Sequence, residues 1–364
     1  MNGPQEWEAA GVYDPSSPDA PQRLELLQWL DGQGVGIDAM VEACARGQLT
    51  SIAGDRKLRP GRRMTVHELA AETGLPFELL IAVHRSTGMP PSGESEPVYT
   101  EGDIGLFQLF ATASEVFSPV ELGHFTRVVG NSMRRIADAA GEMFLRDVEA
   151  RLYEERDGTP LEMAKANLAG IELAHMATGI FDPLFRAHLE LSTFTVRRAR
   201  EGMHDYSTLP LTIGFVDLNG FTSRSASMSP AELLDLVMTF EAASVDLVAE
   251  HGGRLVKLIG DEVMFSAVEP AEACAIAAGL VRQADRLAGG GRAGLAHGHV
   301  ITSGGDVYGE IVNLAARIVD VAVPGEILVN EAVTARADGL PFEPAGRRQL
   351  KGFAEPVRLW SLGE

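Results

Sequence analysis

Up to Arg200 the apolar positions recur at three- and four-residue steps, the spacing of one helical face. This predicts helices beginning at Gln22 and Ile37, and a short pair over Thr65–Thr73 and Phe77–Ser86. Thr65 is placed to cap the first of that pair and Gly74 to break it, a helix-turn-helix pattern. Another helix starts near Thr100, longer ones run over Glu121–Glu155 and Leu161–Thr178, and Leu184–Arg200 closes the series with Pro183 before it. Arg197, Arg198 and Arg200 suit the end of that last helix, where the helix dipole is negative. Residues 1–21, rich in Pro, Asp, Ser and Gly, read as a flexible arm, and residues 202–210 as a linker without periodicity.

From Leu211 the texture changes to short apolar runs alternating with helices. Strands are expected over 212–217, 254–259, 262–267 and 292–300, with helices over 229–250, 270–287 and 309–322. A strand at Ile327–Val329, a short helix and two closing strands follow. The order predicts an α+β fold with helices on one face of a sheet, preceded by an all-α region. The domains are therefore residues 1–201, the linker 202–210, and residues 211–364.

Composition narrows the partners. The 364 residues suit two domains, and 45% apolar content is enough for two cores. A net charge of −20 argues against a nucleic-acid surface, which needs basic patches, but leaves room for a local nucleotide pocket. Cys44 and Cys274 alone do not suggest a disulfide framework. MNGPQEWEAAG lacks the basic-then-apolar order of a secretory signal, and no window reaches the roughly 18 apolar residues of a membrane span. A cytoplasmic protein without membrane contact is expected.

Two apolar runs each deliver one aspartate. Ile213, Phe215 and Val216 lead to Asp217, and Val256, Leu258 and Ile259 lead to Gly260 and Asp261. Alone, a strand-end Asp before Asn-Gly is more often a turn residue. Two such carboxylates at the ends of neighbouring strands can hold a pair of hard cations, Mg²⁺ or Mn²⁺. Paired cations are the usual apparatus for displacement at phosphorus. Further on, Asn313 and Arg317 stand four apart and share one helical face.

These three stretches, in this order, resemble the catalytic domain of class III adenylyl cyclases over the chain from Leu211 to its end. The resemblance implies a ferredoxin-like catalytic domain that turns ATP into cyclic AMP and pyrophosphate. By it, Asp217 and Asp261 bind two divalent ions, Asn313 orients the ribose, and Arg317 stabilises charge on the α-phosphate. Lys351, in Leu350–Lys351–Gly352–Phe353, matches the family's phosphate-binding lysine. Lys257 and Asp306 match its base-reading pair: a lysine donor and an aspartate acceptor complement N1 and the 6-amino group of adenine, whereas guanine reverses both roles. Guanylyl cyclases carry Glu and a small residue there, so ATP is favoured over GTP. In each case the plainer reading is a solvated side chain.

One departure is the short segment His299–Gly305, which lacks the arginine that many members carry in a longer arm for the triphosphate. The family divides each site between two subunits, so a homodimer is implied. The helical half resembles the autoinhibitory domain of mycobacterial soluble cyclases, some of them pH-responsive. Here His188 and His204 flank the linker, and the helix Leu184–Arg200 joins the two halves. An alternative is a nucleotide-sensing DNA-binding regulator, since Thr65–Ser86 resembles MerR-like regulators. Its second helix, FELLIAVHRS, is poor in phosphate-contacting side chains. A diguanylate cyclase fits less well, because Ile259–Gly260–Asp261–Glu262–Val263 is not the Gly-Gly-Asp/Glu-Glu-Phe turn.

Overall fold

Three helices open with the same chemistry. Thr65, Thr159 and Ser229 each accept the backbone N–H of the residue three on, and Glu68, Glu162 and Glu232 reach back to the cap. These reciprocal bonds satisfy backbone donors that a helix start leaves unpaired. The computed structural model describes residues 2–154, 158–201, 207–221 and 225–363. It divides into two units, Met1–Arg186 and Ala187–Glu364.

The first unit is helical but for one small ladder. Its elements are α1 (Pro4–Ala9), α2 (Ala20–Gly32), α3 (Ile37–Ala45), α4 (Ile52–Leu58), β1 (Arg63–Met64), α5 (Val66–Thr73) and α6 (Phe77–Ser86). There follow β2 (Tyr99–Thr100), α7 (Ile104–Ala113), α8 (Pro119–Phe144), α9 (Ala150–Glu154), α10 (Pro160–Ala177) and the start of α11 (Phe181–Ala199). The expected flexible arm is instead folded: Trp7, only 1% exposed, and Val12 join Leu27, Leu30 and Met40 in one core. An indole is too large an apolar surface to leave in water when a helical groove accepts it. The run expected as one helix to Glu155 passes through a π-helical turn at Leu145–Glu149. The last break falls at the 3₁₀ turn Thr178–Ile180, not at Asp182–Pro183. Pro183 sits in the first turn of α11, where its missing N–H costs nothing.

The second unit contains β3 (Leu209–Leu218), α12 (Pro230–Glu250), β4 (Arg254–Ile259), β5 (Glu262–Ala267), α13 (Pro270–Ala288) and β6 (Gly291–Ser303). It continues with β7 (Asp306–Tyr308), α14 (Glu310–Val321), β8 (Ile327–Asn330), α15 (Glu331–Thr334), β9 (Phe342–Arg348) and β10 (Val357–Leu362). The sheet order is β4-β5-β3-β6-β8-β10-β9, with β7 beside the far end of β6. Along β4-β5-β3-β6 the strands of each neighbouring pair are antiparallel. With α12 and α13 between them they form the βαββαβ arrangement of a ferredoxin-like fold. The β6–β8 pair is parallel.

Helices cover both faces of the sheet, not one. Val216, Val263 and Phe265 pack with Ala273, Ile276 and Leu280 of α13. On the other face Ile213, Phe215 and Met264 pack with Leu314, Ala315 and Ile318 of α14. The period-2 alternation of each strand sends neighbours to opposite cores, so a strand buried on both sides reads as one continuous apolar run. At Gly294 the approach of α14 is closest: a Cβ there would lie 2.3 Å from the Val319 nitrogen.

Candidate active site

Strand register assembles the acidic centre. Asp217, near the end of β3, is opposite Glu262 on β5 and Arg292 on β6. All three share the face that carries Phe215, Met264 and α14. Arg292 donates from Nε (2.9 Å) and Nη2 (2.7 Å) to the same oxygen, Asp217 Oδ2. Its Nη1 reaches the backbone carbonyls of Asp320 and Ala322 at 3.4 and 3.3 Å, at the end of α14.

Asp261 occupies the two-residue turn between β4 and β5, with Gly260 at φ +66° supplying the left-handed backbone. Its carboxyl lies within hydrogen-bonding reach of Asp217. Burial pushes its pKa up, and the charge and hydrogen bond of Asp217 push the same way. Glu262 is driven up to about 7, first by burial and then by Asp217, Asp320 and Asp261, with Arg292 opposing. Carboxylates brought together against their own repulsion suit a cation. Among the described residues no group of three or more His, Cys, Asp or Glu side chains forms a ready cage. An ion on Asp217 and Asp261 would therefore take its remaining oxygens from backbone, water or phosphate.

The expected base-reading residues meet. Lys257 Nζ donates to Asp306 Oδ2 at 2.6 Å. A bulge in β4 between Leu255 and Lys257 makes this possible. It turns Leu255 toward Phe265 and Lys257 toward Met264, on opposite faces of the sheet. Asp306 follows a two-residue hairpin turn, Gly304–Gly305, with φ of +60° and +81°. Positive φ at both central residues is the tight hairpin turn that glycine permits. Burial would raise the Asp306 carboxyl, but the hydrogen bond from Lys257, the Val307 N–H at 2.8 Å and the charges of Lys257 and Arg254 hold it below its ordinary range.

Asn313 and Arg317 lie one turn apart on α14, Asn313 exposed and Arg317 half-buried. Arg317 Nη1 donates to Asp320 Oδ2 at 2.8 Å. Lys351 is exposed in the turn between β9 and β10, and among the described residues no hydrogen bond or ion pair links it to the other candidates. His188 falls on the exposed part of α11, and His204 lies outside the described residues. Sequence reading passed over Arg292 and Glu262. The signal for both was register: a polar residue opening a predicted strand beside Asp217 has to face it.

Comparison with known proteins gives relatives along almost the whole chain. An uncharacterized protein of Mycobacterium tuberculosis is 34% identical over 366 residues, covering 98% of this chain and 93% of the relative. An adenylate cyclase of Streptomyces coelicolor is 32% identical over 275 residues, covering 74% of this chain and 71% of that protein. A pH-sensitive adenylate cyclase of Mycobacterium tuberculosis is 27% identical over 364 residues, covering 94% and 88%. No family model matches.

Proposed function

The chain belongs to the class III adenylate cyclases, and from that premise we propose that it converts ATP to 3′,5′-cyclic AMP and pyrophosphate through attack of the ribose 3′-hydroxyl on the α-phosphorus. The observation that carries the choice of ATP is the Lys257–Asp306 pair at 2.6 Å. A lysine donor beside an ionised carboxylate complements the N1 acceptor and the 6-amino donor of adenine. Guanine would leave both groups mismatched in a partly desolvated site.

Asp217 and Asp261 fit two divalent cations, Mg²⁺ or Mn²⁺, by donor type and by their mutual approach. Such ions, when bound, acidify the attacking hydroxyl and neutralise phosphate charge. The chain's own groups do the rest. Asn313 holds the ribose, and Arg317 meets the charge that grows on the α-phosphate oxygens. Arg292, the guanidinium already on the acidic centre, supports the role left open by the short β6–β7 hairpin, that of a cation for the triphosphate. Lys351 stays in the proposal as a second phosphate contact.

One chain carries one copy of each group, so we assign the working unit as a homodimer in which one protomer's carboxylates serve the nucleotide whose base its partner reads. The domain reading is residues 1–201 as regulator, 202–210 as linker and 211–364 as catalyst, with α11 as the element that transmits control. The whole-length similarity to a pH-sensitive cyclase supports regulation by the helical unit. No helix among the described residues is long and apolar enough to cross a membrane; the cytoplasm as the enzyme's place of action is part of the proposal. The decisive experiment is a product assay with ATP and GTP in Mn²⁺. Cyclic AMP formed by wild type and lost in both Asp217→Ala and Lys257→Ala proteins is expected; cyclic GMP as the main product, or no cyclic product, would reverse the reading.

A further inference from the structure

A cavity of about 430 Å³ lies within the second unit, away from the acidic centre. That volume is within the range of small-molecule sites. Its walls are α11 from His188 onward, the starts of β3 and β4, the end of β5 and the Thr302–Gly305 turn. Leu191, Val196, Leu211 and Val268 make most of the lining apolar. Among the described residues no acidic side chain lines it, and the ionisable groups that do are His188 and Arg254. Arg254 is exposed, and Nη2 donates to the Gly305 carbonyl at 2.8 Å, one bond for a group with five donors. Apolar walls with a guanidinium at one end complement an apolar body ending in a single negative charge.

We propose that this cavity binds a small amphiphilic anion, a body of one or two fused rings bearing one carboxylate or sulfonate, whose head is held by Arg254. The consequence rests on the cyclase reading, because Gly305 adjoins Asp306 of the base-reading pair. A head group that draws Arg254 from the Gly305 carbonyl loosens the hairpin that presents Asp306. The body of the ligand leans on α11, so the same molecule touches the connecting helix and the base-reading hairpin. Occupancy therefore weakens ATP binding, read as a higher KM, and by reciprocity bound ATP weakens the anion.

The test titrates full-length protein with 8-anilinonaphthalene-1-sulfonate and with N-phenyl-1-naphthylamine, which keeps the rings without the charge. Saturable fluorescence at one dye per chain is expected, with the sulfonate at least about tenfold tighter. Arg254→Gln erases that preference, and Ser192→Trp, which plugs the cavity from an exposed helix position, abolishes binding of both. Thr195→Phe is the second plug should the first melt early by circular dichroism. Absence of saturation, equal binding by both plugged proteins, or a charge preference that survives Arg254→Gln would overturn the site. Saturating sulfonate raises the wild-type KM for ATP roughly threefold and leaves the plugged proteins unchanged. Binding without that shift overturns the coupling. A protein that makes no cyclic AMP at any dye concentration instead indicts the cyclase reading.

Discussion

The two units of this chain bury their apolar surface to different extents. In the second, both faces of the sheet are covered, by α13 on one side and α14 on the other. In the first, α8 runs for 26 residues with Phe125 55%, Met133 43%, Ile136 43% and Met143 55% exposed along one side. A contiguous apolar face of that length marks a surface meant for contact. The second unit thus owes its shape to its own core, whereas the helical unit keeps unspent hydrophobic surface. A fixed core suits chemistry, and an open apolar surface suits a partner that can change.

The sharpest way to break this contrast is at the acidic centre. Asp217→Ala or Asp261→Ala should lower cyclic AMP formation by at least about a thousandfold while the circular dichroism melt stays near wild type. Mixing an Asp217→Ala chain with an Asn313→Ala chain should then restore one working site per heterodimer. Heterodimers without activity would count against shared sites. The helical unit should answer in stability instead. Trp7→Ala empties the centre of its core and should cost about 3–5 kcal/mol, read by urea unfolding of that unit. Trp7→Phe should cost far less, because the indole N–H has no hydrogen-bond partner among the described residues.

Acid should act on the catalytic unit through His297, which is 6% exposed and bonded to Thr212 Oγ1 at 3.0 Å. Burial first, then the charges of Arg336 and His299, pull its pKa down to about 4. A base that resists protonation when folded contributes stability that is whole above its unfolded pKa. That contribution fades as pH falls from about 6.5 toward 4, by roughly 3 kcal/mol in all. His297→Asn should flatten that part of the stability profile. Next in size, Lys257→Glu with Asp306→Ser should reduce kcat/KM for ATP by roughly ten- to a hundredfold and raise that for GTP. Unchanged preference would remove the base assignment. The smallest effect expected is from deleting residues 1–205, which should raise the rate roughly fivefold if the helical unit restrains the catalyst. A slower truncated protein would invert the sign of regulation.

The candidate site was legible in the sequence because its motifs are local: Asp217, Asp261, Asn313 and Arg317 each sit in a short motif, and the apolar pattern places them at strand ends, in the turn after one, and on one helix face. What it hid was produced by pairing. Arg292 and Glu262 matter only because β6 and β5 flank β3 in a given register. The bulge that re-aims Lys257 is a property of two strands and has no signature in one. The second helical layer was missed because α14 announces its apolar stripe without saying which face it meets. Residues 1–21 misled for a compositional reason: Pro, Gly and Asp punctuate a short helix as readily as a loose tail, and Trp7 was the overlooked counter-signal.

Gly294 carries one consequence beyond packing. The Ala315 carbonyl and the Val319 nitrogen would both come within 2.7 Å of any Cβ placed there. Even alanine would wedge α14 off the sheet, carrying Asn313 and Arg317 outward with it. The outward position of two polar groups on α14 is thus calibrated by a single hydrogen atom on the buried side of the helix.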